Sequence, residues 1–178
     1  PQDPDKGSAS CASTVGWAYR KVLGVDGMSA SSRTQAKDDR FTDIVRLGPS
    51  DTQPGKTFDL SVLQPGDIVY MYNKGDGWAS NHTEMYVGNG KDLSHGGPDP
   101  GPQERTLDAA RQKKVWAVRR YKPFVDNDTV KILASDGLTG GTYSSTTNDG
   151  SQATDGNDKS AGGQFLTSLS NYISNAVN

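Results

Sequence analysis

The sequence predicts an α+β chain: an N-terminal helix on a small antiparallel β-sheet, then a flexible linker and a C-terminal amphipathic helix. Three observations predict it. Over 8–25 (SASCASTVGWAYRKVLGV), apolar residues recur at three- and four-residue steps, the period of a helix with one buried face. Between 63 and 121, β-rich runs are punctuated by Pro-Gly and Asn-Gly pairs, as short antiparallel strands are. From Ser135 the composition turns to Gly, Ser, Thr, Asn and Asp. That change divides the chain into a folded unit over 1–134, a linker over 135–163 and a terminal helix over 164–178.

Each element has a local reason. Residues 1–7 (PQDPDKG) hold no apolar side chain and read as an extended lead-in. In the first helix Ala12, Val15, Ala18, Val22 and Leu23 form the stripe, Ser8 or Ser10 can cap the start, and Gly24 stands where the helix should stop. Residues 28–40 (MSASSRTQAKDDR) read as a second, more polar helix and 41–48 (FTDIVRLG) as a short strand. LQPGDIVYMY (63–72) is a strand opened by a turn, and NKGDGWASN (73–81) is turn material. HTEMYVG (82–88) alternates, with His82, Glu84 and Tyr86 on one face and the more apolar Thr83, Met85 and Val87 on the other, expected to face the core. Asn89-Gly90 is a tight-turn pair and KDLSH (91–95) the returning strand. GGPDPGP (96–102) cannot hold regular structure. TLDAARQKK (106–114) reads as a short helix, VWAVRRY (115–121) as a strand with Val115, Ala117 and Arg119 opposite Trp116, Val118 and Arg120, and 124–134 as a strand or connector.

Near the C-terminus, Phe165, Leu166, Leu169, Tyr172, Ile173, Ala176 and Val177 fall on one helical stripe, with no charge from Ala161 onward. A short uncharged amphipathic helix is marginal alone in water. It is expected to dock on its own domain, on another subunit or on the rest of a longer polypeptide. A membrane surface fits less well, since the Lys and Arg of an interfacial helix are missing.

Composition narrows the function classes. The 178 residues are only 32% hydrophobic, with 21 glycines, so part of the chain is expected to lie outside a packed core. No run approaches the ~18–20 apolar residues of a membrane span. Nineteen Lys and Arg against 21 Asp and Glu leave a net charge of −2, which argues against a nucleic-acid surface. One cysteine excludes an internal disulfide and a Cys-rich zinc module. The chain begins at Pro1 with no basic, apolar-centred leader, which reads as a processed product or a fragment.

Thiol and imidazole chemistry would therefore rest on three residues: Cys11, His82 and His95. Cys11 stands at the opening of the first helix, where unpaired N–H groups and the helix dipole favour a thiolate. Its neighbours Ser10, Ala12 and Ser13 are small and leave the sulfur reachable. His82 opens a strand, and His95 ends the next one across the hairpin, so the two rings are expected to be neighbours. One would take the thiol proton and the other would orient it, the base-plus-orienter arrangement of nucleophilic catalysis.

The helix-borne Cys, then PGDIVYM, HTEMYVGNG, LSH and VWAVRRY, in that order, resemble an NlpC-type papain-like cysteine peptidase over roughly residues 8–122. The CHAP amidases and peptidases are relatives of that fold. The resemblance implies cleavage of peptidoglycan, usually in the stem peptide at a γ-D-glutamyl bond. Position by position it makes Cys11 the nucleophile, His82 the general base and His95, through Leu93-Ser94-His95, the orienting third residue. Where the family often has Asp-Cys-Ser-Gly, this chain has Ser10-Cys11-Ala12-Ser13; where it has His-x-Gly, this chain has His82-Thr83-Glu84. The interval between the histidines is one residue longer than usual, which is assigned to the NGKD hairpin. Glu84 reads either as a carboxylate selecting a cationic group such as a diamino acid or as a solvated strand residue. Trp78, Ser10 and the 96–102 loop are expected to contact substrate or wall the cleft.

Rival readings are a non-catalytic wall-binding or structural module of a larger assembly, a CHAP-type N-acetylmuramoyl-L-alanine amidase, and a zinc site on Cys11, His82 and His95. The thiol reading needs no metal or cofactor, and the Asp-rich pieces lack a calcium-loop pattern. Asn81-His82-Thr83 fits a glycosylation pattern and is read as chance. The expected partners are peptidoglycan and, through the terminal helix, other subunits. The expected setting is extracellular or virion-associated, in a phage tail or lysin or in a secreted wall hydrolase.

Overall fold

Helix α1 spans Cys11–Leu23, and its ends are set by the residues expected to set them. Ser10 is extended; its hydroxyl accepts the Ser13 N–H at 3.3 Å while the Ser13 hydroxyl accepts the Ser10 N–H at 2.7 Å. This reciprocal box stabilises the helix start by about 1 kcal/mol. Gly24 ends the helix in the left-handed region at φ 66, which suits a residue without Cβ. The computed structural model describes residues 9–50, 52–75, 78–95, 102–126, 129–131 and 142–144.

The second helix is a correction. Only Ser32–Gln35 is helical (α2), not 28–40. Short polar side chains in this stretch bond locally and compete with the helix: Ser29 Oγ accepts the Ser31 N–H, and Asp38 takes the Arg40 N–H and guanidinium. What α2 does is anchor α1. Gln35 is buried, and its amide donates to Ala12 O at 2.9 Å and Ser29 O at 3.1 Å.

Strands β1 (Phe41–Arg46), β2 (Ile68–Gly75), β3 (Trp78–Gly88), β4 (Lys91–His95), β5 (Pro102–Thr106) and β6 (Val115–Tyr121) form one sheet in the order β1-β6-β2-β3-β4-β5. Every neighbouring pair is antiparallel. The chain is thus α+β with an antiparallel sheet. Residues 73–81 are not the loose turn expected. β2 and β3 pair on through Asn73↔Ser80, Lys74↔Ala79 and Gly75↔Trp78, because a ladder satisfies backbone groups that a long loop would leave to water. β5 was not foreseen either; Pro102 opens it at the sheet edge, where a missing N–H is tolerated. The expected 106–114 helix contracts to Ala109–Gln112 (α3), capped by Asp108, whose side chain accepts the Arg111 N–H.

Each face of the sheet carries a core. Val15, Ala18, Tyr19 and Val22 of α1 pack with Phe41, Ile68, Tyr70, Met85 and Trp116. The other face buries Val69, Met71, Tyr86, Val115 and Val118 with Leu63 and Leu107. The simple alternation expected for β6 fails at its start. Tyr70 pairs with Ala117 but Met71 with Val115, so Trp116 is a bulged residue and joins Ala117 in the helix-side core.

After β6, a short helix α4 spans Pro123–Asp126, and β7 (Thr129–Lys131) pairs with β8 (Thr142–Ser144). β7 falls in 124–134, and β8 within the stretch read as linker. The rest of 135–163, the terminal helix 164–178, the lead-in and residues 96–101 lie outside the described residues. Among the described residues no helix is long and apolar enough to cross a membrane.

Candidate active site

The first turn of α1 meets the middle of β3. Cys11 is partly buried and hydrogen-bonds His82; the Ser32 hydroxyl lies 3.6 Å from its sulfur, and the Thr83 backbone is also in contact. His82 Nε2 lies 3.0 Å from Glu84 Oε1, which leaves Nδ1 as the ring nitrogen for the sulfur. Glu84 is only 1% exposed, and Arg111 of α3 donates to its Oε2. The same Arg111 Nη2 reaches Asp92 Oδ1 at 3.0 Å and Oδ2 at 3.1 Å, and Asp92 is fully buried. A connected line therefore runs Cys11, His82, Glu84, then Arg111 and Asp92.

This arrangement sets the charges. Burial would raise the Cys11 thiol, but the hydrogen bond and positive charge of His82, then Ser32 and the Thr83 backbone, outweigh it and bring it down to about 7. Burial would lower His82, but its bonds to Cys11 and Glu84 and their negative charges raise it to about 9. Between those values sulfur and ring form a thiolate–imidazolium pair. Glu84 is raised by burial, yet the bonds from His82, Asp92 and Arg111 hold it well below the usual carboxylate range.

His95 does not take the place expected of it. Gly88 pairs with Lys91 across the Asn89-Gly90 turn, where both turn residues have positive φ (52 and 69). Continued without interruption, that register would set His95 opposite Glu84, on the face of His82. Val87 bulges instead, since the next pair is Tyr86↔Asp92, followed by Met85↔Leu93 and Glu84↔Ser94. The slip of one residue exchanges faces. His95 now stands opposite Thr83 and lies with Cys11, Met85 and Leu93 on the α1 side, while Asp92 joins the His82–Glu84 face. His95 Nδ1 is buried with no partner among the described residues. Burial, then the charge of His82, lowers its ring below the ordinary value.

Glu84 is neither a solvated carboxylate nor a free contact for a cationic substrate; it is buried and committed to His82 and Arg111. That it lay on the His82 face was readable from alternation. Its partner Arg111 was not, because α3 and β4 approach it only in the folded sheet. Ser10 lines the cleft, but its hydroxyl serves the helix cap. The Trp78 side chain and the 96–101 loop lie outside the described residues.

The site opens into a cleft of about 520 Å³, lined among others by Cys11, Asn81, His82, His95, Arg105 and Lys114. Among the described residues no group of three or more His, Cys, Asp or Glu is arranged to hold a metal ion.

Comparisons with known proteins are sparse. No family model matches the chain, and no curated protein matches it in sequence. One solved structure it is similar to is a Staphylococcus aureus protein described as similar to lipoprotein, NLP/P60 family. The identity is 17% and the TM-score 0.45, over 65% of this chain and 33% of that one. The chain therefore spans about a third of that relative's length.

Proposed function

We propose that this chain is a cysteine-dependent hydrolase that cleaves an amide bond in the peptide part of peptidoglycan. The observation that carries the reading is the Cys11–His82–Glu84 line at the wall of an open cleft. The bond class comes from the sequence resemblance to NlpC-type peptidases. Peptidoglycan lies outside the cell membrane, so the setting proposed is extracellular.

The steps follow from the geometry. The Cys11 thiolate attacks the amide carbonyl carbon, and the carbonyl π electrons move to oxygen. Opening N–H groups of α1 are the donors at hand for that oxyanion. The His82 imidazolium gives its proton to the leaving nitrogen as the C–N bond breaks, which leaves a thioester and a free amine. The now neutral ring takes a proton from water as the water attacks the thioester, and the carboxylic product leaves with the thiolate restored. Glu84 stays ionised throughout; it holds the ring in place and stabilises its charged form.

Substrate charge is read differently from the sequence-based expectation. Glu84 is held by His82 and Arg111, and the described cleft lining also carries the positive side chains of Arg105 and Lys114, a balance that favours a peptide bearing carboxylates over a cationic group. Wall stem peptides carry such carboxylates.

The test is digestion of purified peptidoglycan by the protein and by Cys11→Ala, with fragments identified by mass. New amino ends within stem peptides, absent with Cys11→Ala, are expected. Release of whole stems from the glycan would make the enzyme an amidase of the CHAP type. Identical products from both proteins would remove the enzyme reading and leave a wall-binding module.

A further inference from the structure

We propose that the Ser32 hydroxyl is a catalytic donor to the Cys11 sulfur: it bonds the sulfur while the thiolate is free and is released when the thiolate attacks. The inference deepens the reading of this site as a thiol hydrolase and rests on that reading for its catalytic meaning.

The fold brings a second element to the sulfur. α2 lies against both α1 and β3. Gln35, 1% exposed, fastens it through an amide bond of 2.9 Å to Ala12 O, one residue from the nucleophile. Ser32 stands three residues before Gln35 and so on the same side of α2. It is buried too, and its Oγ lies 3.6 Å from Cys11 Sγ, within hydrogen-bond reach of the larger sulfur atom. A helical serine often turns its hydroxyl back to a carbonyl of the preceding turn. Among the described residues the partner of this hydroxyl is the sulfur.

The direction of the bond follows from counting hydrogens. Glu84 holds Nε2 of His82, so Nδ1 faces the sulfur. In the ion pair Nδ1–H donates to the thiolate, which has only lone pairs to offer. In the neutral pair the single thiol hydrogen goes to Nδ1. In both forms the sulfur accepts from Ser32, and Ser32 donates.

When Cys11 attacks a carbonyl carbon, the sulfur's electron pair enters the new C–S bond and the negative charge passes to the carbonyl oxygen. The sulfur is then a poor acceptor, and the Ser32 bond lapses. It re-forms when water cleaves the thioester and sulfur leaves as thiolate. Ser32 keeps its own proton throughout. Its effect has two signs: it raises the fraction of sulfur that is thiolate, and it makes each thiolate a weaker nucleophile.

The titratable and charged groups around the sulfur are His82, backed by Glu84, from β3 and His95 from β4. The cleft adds Arg105 from β5, Arg111 from α3 and Lys114, and α2 carries the exposed Arg33. The opening turns of α1, CASTVGW, hold no other. All of these stay in place when only the Ser32 hydroxyl is removed.

The experiment follows alkylation of the full chain by iodoacetamide across pH. Cys11 is its one cysteine, so no other thiol reports. The wild-type rate should rise through a limb at about 7 to a plateau. In Ser32→Ala that limb should move up by about 0.5–1 pH unit. Its plateau should be about two- to threefold faster than wild type and its rate below the limb about two- to threefold slower, so the two curves cross. The His82 ring, followed by proton NMR, should keep its raised titration. Ser32→Thr, which retains the hydroxyl, should return the curve toward wild type. A merely structural Ser32 acts otherwise: lost packing would part Cys11 from His82, lower the plateau and bring the His82 titration down. That result, or a limb left unmoved, would overturn the proposal. Should Ser32→Ala not fold, Ser32→Gly removes the same hydroxyl and is judged in the same way. Alkylation uses no wall substrate, so absence of wall hydrolysis would sink the proposed function and leave this result standing.

Discussion

Two buried carboxylate–arginine clusters sit on the same face of the sheet, and they are built differently. In the first, Arg120 grips Asp67 with two parallel bonds of 2.8 Å and gives a third, of 2.9 Å, to Val62 O. Asp67 also takes the Gln64 N–H, and Tyr19 bonds the adjacent Gly66 carbonyl. One cation meets one carboxylate, and the group is closed. In the second, one cation meets two carboxylates, and the surplus faces a histidine that touches a partly buried thiol. The difference teaches where chemistry can reside. A one-to-one bidentate pair is spent on holding β2, β6 and the 3-10 turn at Leu60–Val62 together. A two-to-one cluster has acceptor capacity left over, and His82 is what uses it.

The contrast can be broken or sharpened by mutation, the largest effect first. Arg120→Ala leaves Asp67 buried without its cation and should cost about 3–5 kcal/mol of stability by urea denaturation. Arg111→Ala should cost less, because Glu84 keeps its His82 partner, while slowing turnover more than Arg120 variants that still fold. Equal stability losses, with thiol reactivity untouched by Arg111→Ala, would show that the two clusters are of one kind.

Glu84→Gln keeps a hydrogen bond to His82 but removes the charge, and should lower kcat/KM by about 10²-fold with little change in Tm. The sign at both groups is fixed. Without that charge the His82 ring falls from about 9 toward its ordinary value, and the Cys11 thiol, losing part of its cation, rises from about 7. The variant should therefore work over a narrower pH range.

In the wild type, kcat/KM should be bell-shaped, with limbs at about 7 and about 9. Below the acid limb the thiolate is protonated, and above the alkaline limb the ring has no proton for the leaving nitrogen. Each limb should fall about tenfold per pH unit. A profile flat across this range would separate activity from the Cys11–His82 pair.

His95→Gln is the smallest expected effect, under about threefold in kcat/KM, since His95 stands off the His82 face. A loss as large as that of Glu84→Gln would restore His95 to the orienting role and undo the assignment of Glu84.

Much of this was legible in the chain. Ser10, the three- and four-residue spacing after it and Gly24 specify α1, because caps and period act within a few residues. Asn89-Gly90 specifies the hairpin for the same reason, and Cys11 and His82 stand out because reactive side chains are so few. The short polar stretch 28–40 and the PQERT edge strand were not legible. One depends on competition between local bonds and a helix, the other on the presence of β4 to pair with.

Which residue of β4 joins His82 and Glu84 on their face belongs wholly to the tertiary structure. Which of His95 or Asp92 shares its face depends on one bulged residue, Val87, and side chains in a strand change sides with every step. A bulge is decided by the pairing of two strands and the packing on both faces, and its signal in the sequence is no more than one extra residue in a hairpin.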